Sequence, residues 1–123
     1  VTIRPVLDYS PLPAGDRHDP TPTMRRALLQ REPFEVFPYS NTPSTSCDLD
    51  HTVSYEEGGS AGQTNLANLG PLSRSVHRAK THAGWDLDQP EPGVYKWTTP
   101  LGFRYDVVNG ITRYRGHMPP QRE

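Results

Sequence analysis

The residues best suited to chemistry lie within positions 47–81, in the segment CDLDHTVSYEEGGSAGQTNLANLGPLSRSVHRAKT. Asp50 and His51 end an apolar-alternating run, Asn68 follows a loop rich in Gly, Ser and Glu, and His77 lies in a basic stretch. An acid, two histidines and an asparagine, gathered by a strand, a loop and a helix, are the set that a metal-dependent phosphodiester-cleaving site needs. The rest of the chain must therefore position these four side chains.

Each of the four residue types also has an ordinary structural role. A histidine taken alone is more often structural or on the surface, but a neutral imidazole accepts a proton from water near pH 7, which suits His51 to act as a base. Asp50 offers a hard oxygen donor for a divalent cation, and His77 offers a nitrogen donor. Asn68 either fixes its loop through backbone groups or gives an oxygen to the metal. Their proximity in one short segment favours a site.

A basic ridge is predicted beside the candidate metal ligand. On a helix over residues 74–81, His77 shares a face with Arg74 and lies within reach of Arg78 and Lys80. Residues 73–81 include no acid, so this ridge suits contacts with a phosphodiester backbone. We predict phosphate contacts from Arg74, Arg78 and Lys80, although arginines and lysines on a short helix are more often simply its solvated face.

The order of Asp50 and His51 raises a geometric difficulty, because adjacent residues of a strand point to opposite faces. For both side chains to act on one phosphate, the strand must twist or bulge at this point. The other solution is that Asp50 and His51 approach the phosphate from different sides.

The composition bounds the class of protein. The chain has 123 residues, of which 33% are hydrophobic, with 14 prolines and 10 glycines, so one small domain with many loops is expected. A formal net charge of −1 excludes a strongly basic DNA-packaging protein. The single cysteine, Cys47, excludes an intramolecular disulfide and a Cys-rich zinc knuckle, and it favours a reduced, cytoplasmic setting. No transmembrane-length apolar run or secretory signal is visible, and the initial Val suggests a domain cut from something longer.

The segments before the central stretch divide into an arm, a helix and a loop. Prolines at positions 5, 11, 13 and 20 indicate a surface arm over residues 1–21. A helix is predicted to begin at Thr21-Pro22, with Thr as N-cap and Pro in the first turn, and to end before Pro33. Residues 33–46 read as a loop that packs aromatic residues onto the core. The apolar face of the helix is predicted to comprise Met24, Ala27 and Leu28.

The last third of the chain is predicted to be an antiparallel β-meander. Residues 93–99 and the segment FRYDVV are strand-like, and Asn109-Gly110 is a strong hairpin signal before a returning strand in ITRYRG. The predicted fold is thus α+β, with a domain over residues 22–116 and a tail over 117–123. Its aromatic core candidates are Trp85, Trp97, Phe103 and Tyr105.

The central residues resemble those of the HNH endonucleases of the ββα-metal superfamily. The resemblance covers roughly residues 22–108 and includes a later extension, THAGWDLD…YKWTTPLGFRYD, similar to the tail of a group of actinobacterial HNH proteins. It implies a small ββα-metal core over residues 47–82. The matching residues are Asp50-His51, Asn68-Leu69 and His77 in SVHRAKT, together with Gly58-Gly59, Pro71-Leu72 and Lys80-Thr81.

The resemblance implies a metal-dependent endonuclease acting on DNA. His51 would be the general base, Asp50 and His77 would hold one divalent ion, and Asn68 would order the loop or assist the metal. Mg²⁺, Mn²⁺, Ni²⁺ and Zn²⁺ all suit such mixed ligands. Some relatives use two histidines spaced by four on this helix; position 81 is Thr, so His82 is only a reserve ligand. The alternatives are a nucleic-acid-binding module that does not cut and a structural metal-bound domain.

The chain departs from these relatives at a second site. Many of them hold a structural zinc with Cys residues and a His, whereas the corresponding positions here are Glu35, Ser40, Ser73 and Val76. Without thiolates at these positions, no structural zinc is expected. Packing by the aromatic residues of the preceding loop, Phe34, Phe37 and Tyr39, is predicted to replace it.

Overall fold

The computed structural model describes residues 18–120 and shows the α+β fold. Residues 1–17 of the predicted arm and 121–123 of the predicted tail lie outside this range. No helix within residues 18–120 is long and apolar enough to cross a membrane. The elements in chain order are α1 (Pro22–Arg31), a 3₁₀ turn (Ser44–Ser46), β1 (Asp48–His51), β2 (Leu69–Leu72), α2 (Arg74–His82), β3 (Asp86–Glu91), β4 (Val94–Thr98), β5 (Phe103–Val108) and β6 (Ile111–His117).

Helix α1 forms as the sequence predicts. The Thr21 hydroxyl accepts a hydrogen bond from the Met24 amide at 3.1 Å, which satisfies one of the free donors of the first turn. The predicted apolar face is buried, and it packs with Leu66 and Leu69 in a small core cluster. This cluster fixes α1 against the hairpin that carries the candidate site.

Strands β1 and β2 form an antiparallel hairpin that leads directly into α2. Asp50 pairs with Gly70, and His51 pairs with Leu69. Every residue of β2 is buried, and only glycine fits at position 70, because a Cβ there would lie 2.7 Å from a ring carbon of Tyr95. The ββα order expected from the sequence is present, with α2 ending one residue later than predicted, at His82.

The C-terminal sheet is a four-stranded antiparallel meander in the order β3-β4-β5-β6. Asn109 and Gly110 both adopt positive φ, at 51° and 75°, as the predicted tight hairpin requires. Strand β6 includes His117, the first residue of the predicted tail. Strand β3 was not predicted, since DLDQPE is acidic and contains a proline; as an edge strand it tolerates Pro90 and buries only Leu87 and Gln89.

The main core lies between this sheet, the loop before β1 and the hairpin. Phe37 packs in it, with its ring centroid 5.0 Å from Trp85 and 5.2 Å from Trp97. Phe34 and Tyr39 are exposed, so the predicted packing of the aromatic loop holds for Phe37 alone. Phe103 is also exposed, and its predicted place in the core is wrong. The buried cluster comprises Val36, Leu72, Leu87, Tyr95, Trp97 and Val107.

A buried arginine at the end of α1 joins both sheets. Arg31 donates from Nη1 to the Leu66 carbonyl at 2.8 Å, and from Nη2 to the Leu69 carbonyl at 3.2 Å and the Tyr95 hydroxyl at 2.8 Å. Its Nε lies 3.1 Å from the buried carboxylate of Glu32. Burial raises the pKa of Glu32, and the adjacent Arg31 opposes that rise. The guanidinium therefore satisfies groups from α1, the hairpin and the C-terminal sheet together.

We expect Arg31→Met to lower the free energy of unfolding by about 3–5 kcal/mol, because it leaves Glu32 and backbone carbonyls buried without their charged donor. Urea-induced unfolding followed by circular dichroism measures the change. Arg26→Met is the matched control, since Arg26 lies on the same helix but is exposed, and it should change stability by less than about 0.5 kcal/mol. An Arg31 variant as stable as the Arg26 variant would contradict this role.

Candidate active site

A cavity of about 650 Å³ opens where the hairpin, α2 and the segment before α1 meet. Four of the residues predicted from the sequence line it: Asp50, His51, His77 and Lys80. The fold therefore brings the predicted acid, both predicted histidines and one predicted cation to a single concave surface.

Asp50 and His77 form the first half of the site. The Asp50 Oδ1 and His77 Nε2 atoms are 3.0 Å apart, and the Asp50 side chain is buried whereas the His77 side chain is about half exposed. Two ligand atoms on adjacent positions of one ion, each bound at about 2.1 Å, stand roughly 3 Å apart. The pair thus fits a shared divalent cation as well as a direct hydrogen bond. Within residues 18–120, no group of three or more His, Cys, Asp or Glu residues is arranged to hold a metal.

Lys80 is placed differently from the role predicted for it. Its Nζ atom donates to Asp50 Oδ2 at 2.6 Å and to the His51 carbonyl at 2.6 Å, and its side chain is only 11% exposed. The ammonium group therefore neutralises Asp50 and holds one carboxylate oxygen toward α2. The other carboxylate oxygen is the one directed to His77.

His51 forms the second half of the site. Its Nε2 lies 2.9 Å from the Thr64 hydroxyl, which donates to the His18 carbonyl at 3.3 Å. With the hydroxyl hydrogen directed to that carbonyl, Nε2 is the donor and Nδ1 carries the lone pair. Burial is the main cause that lowers the pKa of His51, and His18 adds to it while Asp50 opposes it. A neutral imidazole at pH 7 is the form that a base requires.

The end of β1 bears on the difficulty with adjacent strand residues. Asp50 is directed toward α2, where it meets His77 and Lys80, while His51 meets Thr64 on the connecting loop. Both residues nevertheless line the same cavity. That they approach one phosphate from different sides stays a prediction.

Asn68 binds the loop between the hairpin strands. Its Oδ1 accepts from the Val53 amide at 2.8 Å, and its Nδ2 donates to the carbonyls of Val53 at 3.1 Å and Gln63 at 2.9 Å. Of the two roles predicted for Asn68, these contacts match the one in which it fixes the loop. The same loop carries Thr64, so Asn68 acts on the position of His51 indirectly.

The remaining predicted residues lie on the exposed surface of α2. Arg74 Nε is 3.6 Å from Asp48 Oδ2 in an exposed ion pair, and Arg78 is exposed. His82 is the exposed last residue of α2 and is not among the residues that line the cavity. The structure thus keeps Arg74 and Arg78 accessible but does not bring the reserve ligand to the site.

Three residues of the site were missed by the sequence reasoning. His18 and Tyr55 line the cavity, and Thr64 contacts His51. The ring centroid of His18 lies 5.1 Å from that of His51 and 5.0 Å from that of Tyr55. His18 was assigned to a proline-rich arm, and no spacing rule links it to His51. Tyr55 follows shortly after the apolar-alternating run that Asp50 and His51 end, and this proximity was the only available signal.

Of the four positions that the resemblance aligned with zinc ligands, three form a hydrogen-bonded cluster. The buried Glu35 accepts from the Ser40 hydroxyl at 2.7 Å and from the Ser73 amide at 2.6 Å. Ser73 is the N-cap residue of α2, yet its side chain makes no capping hydrogen bond. Glu35 supplies the negative charge that favours a helix N-terminus, and Val76 packs against the main core.

Substituting Lys80 tests whether this residue stabilises the folded site through Asp50 or only contacts a phosphate of the substrate. We expect Lys80→Met to lower the free energy of unfolding by about 1.5–3 kcal/mol without any DNA present, because Asp50 and the His51 carbonyl lose a charged donor. Arg78→Met, an exposed cation on the same helix, is the control and should be nearly neutral. Equal stability of the two variants in urea would assign Lys80 to substrate contact alone.

The lowered pKa of His51 makes stability depend on pH. Below about pH 6.5 the unfolded chain binds a proton at this histidine while the folded chain stays neutral, so stability rises with pH across that window. We expect the parent to lose more stability than His51→Asn when the pH is lowered from 7.5 to 5. Urea midpoints at several pH values measure this, with His82→Asn as the exposed control. Parallel pH profiles for parent and His51→Asn would refute the shift.

The chain is similar to segments of much longer mycobacterial proteins. It is 39% identical over 70 residues to the uncharacterized protein Rv3776 of Mycobacterium tuberculosis, a match of 56% of this chain and 13% of that protein. It is 30% identical over 110 residues to the uncharacterized protein Rv2100 of the same species, a match of 89% of this chain and 19% of that protein. The chain thus spans less than a fifth of either relative. No family model and no solved structure matches it.

Proposed function

We propose that this chain is an HNH-type, metal-dependent endonuclease that hydrolyses phosphodiester bonds in DNA. The observation that carries the proposal is the meeting of two groups in one cavity: the Asp50–His77 pair, 3.0 Å apart, and the buried His51. Acid and imidazole donors suit a divalent ion, and a neutral imidazole suits a base. The resemblance of the central residues to HNH endonucleases supports the same function.

The proposed roles follow the contacts of each residue. Asp50 and His77 would hold one divalent ion, of which Mg²⁺, Mn²⁺, Ni²⁺ and Zn²⁺ are the candidates; when bound, it would stabilise the charge that develops on the phosphate. His51 takes a proton from the attacking water at Nδ1 as the water oxygen bonds to phosphorus and the bond to the leaving oxygen breaks. Lys80 orients Asp50, and Asn68 orders the loop that holds His51.

The exposed cations of α2 are proposed to contact the DNA backbone. Arg74 and Arg78 lie on the same helix as His77, and both are accessible. Arg74 forms an ion pair with Asp48 at 3.6 Å. Because this pair is exposed, a phosphate can replace Asp48 as the partner of Arg74 at little cost in free energy. Phosphate contacts of this kind position a backbone without reading its sequence.

A specific observation favours the alternative of a nucleic-acid-binding module that does not cut. The ammonium group of Lys80 occupies one oxygen of Asp50 at 2.6 Å, which reduces the negative charge available to a cation. Among residues 18–120, one acid and one imidazole stand on the metal side, so these two would bind the ion weakly. Binding of DNA without cleavage under every metal would select this alternative.

A cytoplasmic location is proposed from the state of Cys47. The thiol is buried, and burial, together with Glu35 and Asp48, raises its pKa to about 11. It is therefore protonated at neutral pH and poor at forming disulfides. A thiol of this kind suits a reducing compartment.

The function is tested by incubating supercoiled plasmid and, separately, single-stranded circular DNA with the purified chain in EDTA and then in Mg²⁺, Mn²⁺, Ni²⁺ or Zn²⁺. We expect cleavage with at least one metal, and a loss of 10²–10⁴-fold in His51→Ala. Calorimetric titration with the active metal should show that His51→Ala still binds it and that Asp50→Asn binds it more weakly. His82→Ala is the matched control and should cut like the parent. If His51→Ala cuts as fast as the parent, the base assignment fails.

A further inference from the structure

One wall of the cavity is made of three rings, of which the proposed hydrolysis uses only His51. The ring centroids of His18, His51 and Tyr55 lie within 5.0–5.5 Å of one another, and Pro20 and Leu49 line the same cavity. A phosphodiester group alone gains little from such a surface. A nucleobase gains more, because bases stack on aromatic side chains largely irrespective of their identity.

Two of the reacting groups are buried in the wall of this cavity. Asp50 and His51 are 9% and 6% exposed, whereas His77 is about half exposed, so a phosphodiester must enter the cavity to reach the two buried groups. The volume of about 650 Å³ falls in the range of sites that enclose one small ligand, comparable to a single nucleotide. Duplex DNA is stiff, and bending it into a pocket costs several kcal/mol, while a base held in its stack cannot reach the rings. A single strand with an unpaired base needs neither the bending of a duplex nor the removal of a base from its stack.

The charge of the cavity also disfavours a duplex. Arg25 and Lys80 line it, but so do Asp19, Asp48 and Asp50, and Lys80 is already paired with Asp50. The formal net charge of the whole chain is −1. Binding to duplex DNA depends mainly on neutralising many phosphates and releasing their counterions. A cavity with so balanced a charge neutralises few phosphates, and base stacking must supply a larger share of the affinity.

We propose that the substrate of this site is single-stranded DNA, with the base beside the scissile phosphate stacked on the Tyr55 ring and in edge contact with His18, whose ring stands at 88° to that of Tyr55. The His18 side chain is 67% exposed and Tyr55 is half-buried, so both rings are accessible from the cavity. This inference rests on the proposed nuclease for the scissile bond, while the stacking itself requires no metal. It also predicts a shallow salt dependence, since few phosphates are neutralised.

The test is a binding measurement that does not depend on cleavage. A fluorescein-labelled single-stranded oligonucleotide of about twelve nucleotides and its duplex form are titrated with the full chain in EDTA, and binding is followed by anisotropy. We expect the single strand to bind at least tenfold more tightly, and the emission of a 2-aminopurine base to be quenched on binding. Tyr55→Ala should weaken single-strand binding about 5- to 100-fold.

Matched variants separate stacking from loss of fold. Tyr55→Phe keeps the ring and should bind the single strand like the parent, while Tyr114→Ala removes an exposed tyrosine of β6, away from the cavity, and should bind unchanged. Duplex binding as tight as single-strand binding, or an unaltered affinity in a folded Tyr55→Ala, would overturn the inference. If the chain cleaves plasmid but shows no preference for the single strand, the single-strand inference fails and the nuclease proposal stands. If the chain prefers the single strand but cleaves neither the single strand nor plasmid under any metal, the nuclease proposal fails instead.

Discussion

The structure depends on one buried carbonyl group and the donors that converge on it. The Leu69 carbonyl accepts from Arg31 at 3.2 Å, from Gln89 at 3.2 Å and from Tyr95 at 2.8 Å. These donors come from α1, β3 and β4, and Leu69 is the residue of β2 that pairs with His51. The guanidinium of Arg31 is largely removed from water, and such a charge is stabilising only when its partners are all in place. The helix, the hairpin and the C-terminal sheet are thereby held in one arrangement.

The same arrangement fixes the residues next to the candidate site. Gln89 also donates to the Thr52 hydroxyl at 3.0 Å, and the Thr52 amide donates to the Asn68 carbonyl at 2.8 Å. These bonds hold the two ends of the loop, Thr52 and Asn68, next to each other and next to His51. From this fixed end of β1, the Asp50 side chain is directed to α2 and the His51 side chain to the loop. The small core of the domain is thus compensated by polar contacts that also determine the geometry of the site.

The sequence predicted the elements whose signals are local. Thr21-Pro22 predicted the start of α1, and Asn109-Gly110 predicted the last hairpin, because both depend on residues that impose their own backbone geometry. Asp50, His51 and His77 were predicted to meet because a hairpin followed by a helix brings them together. Whether they bind a metal remains a prediction.

What the sequence did not predict depends on tertiary contacts. Arg31 resembles any basic residue at the solvated end of a helix, and its burial follows only from the packing of both sheets around it. Lys80 was assigned to phosphate for the same reason, since nothing local indicates that it folds back onto Asp50. β3 has the composition of a loop, and it is a strand because its backbone pairs with the edge of β4. His18 reaches the cavity through the path of the chain before α1, which no periodicity describes.

The cluster around Glu35 bears on what must happen before the beginning of α2 is held in place. Its carboxylate joins the loop after α1 to the beginning of α2 through the Ser40 hydroxyl and the Ser73 amide, at 2.7 and 2.6 Å. Hydrogen bonds of this kind form during folding from the chain alone, whereas a thiolate cluster must first capture an ion. This joint therefore assembles from the folding chain without a thiolate or a captured ion. Conditions that remove metal ions or oxidise thiols would leave its hydrogen bonds in place.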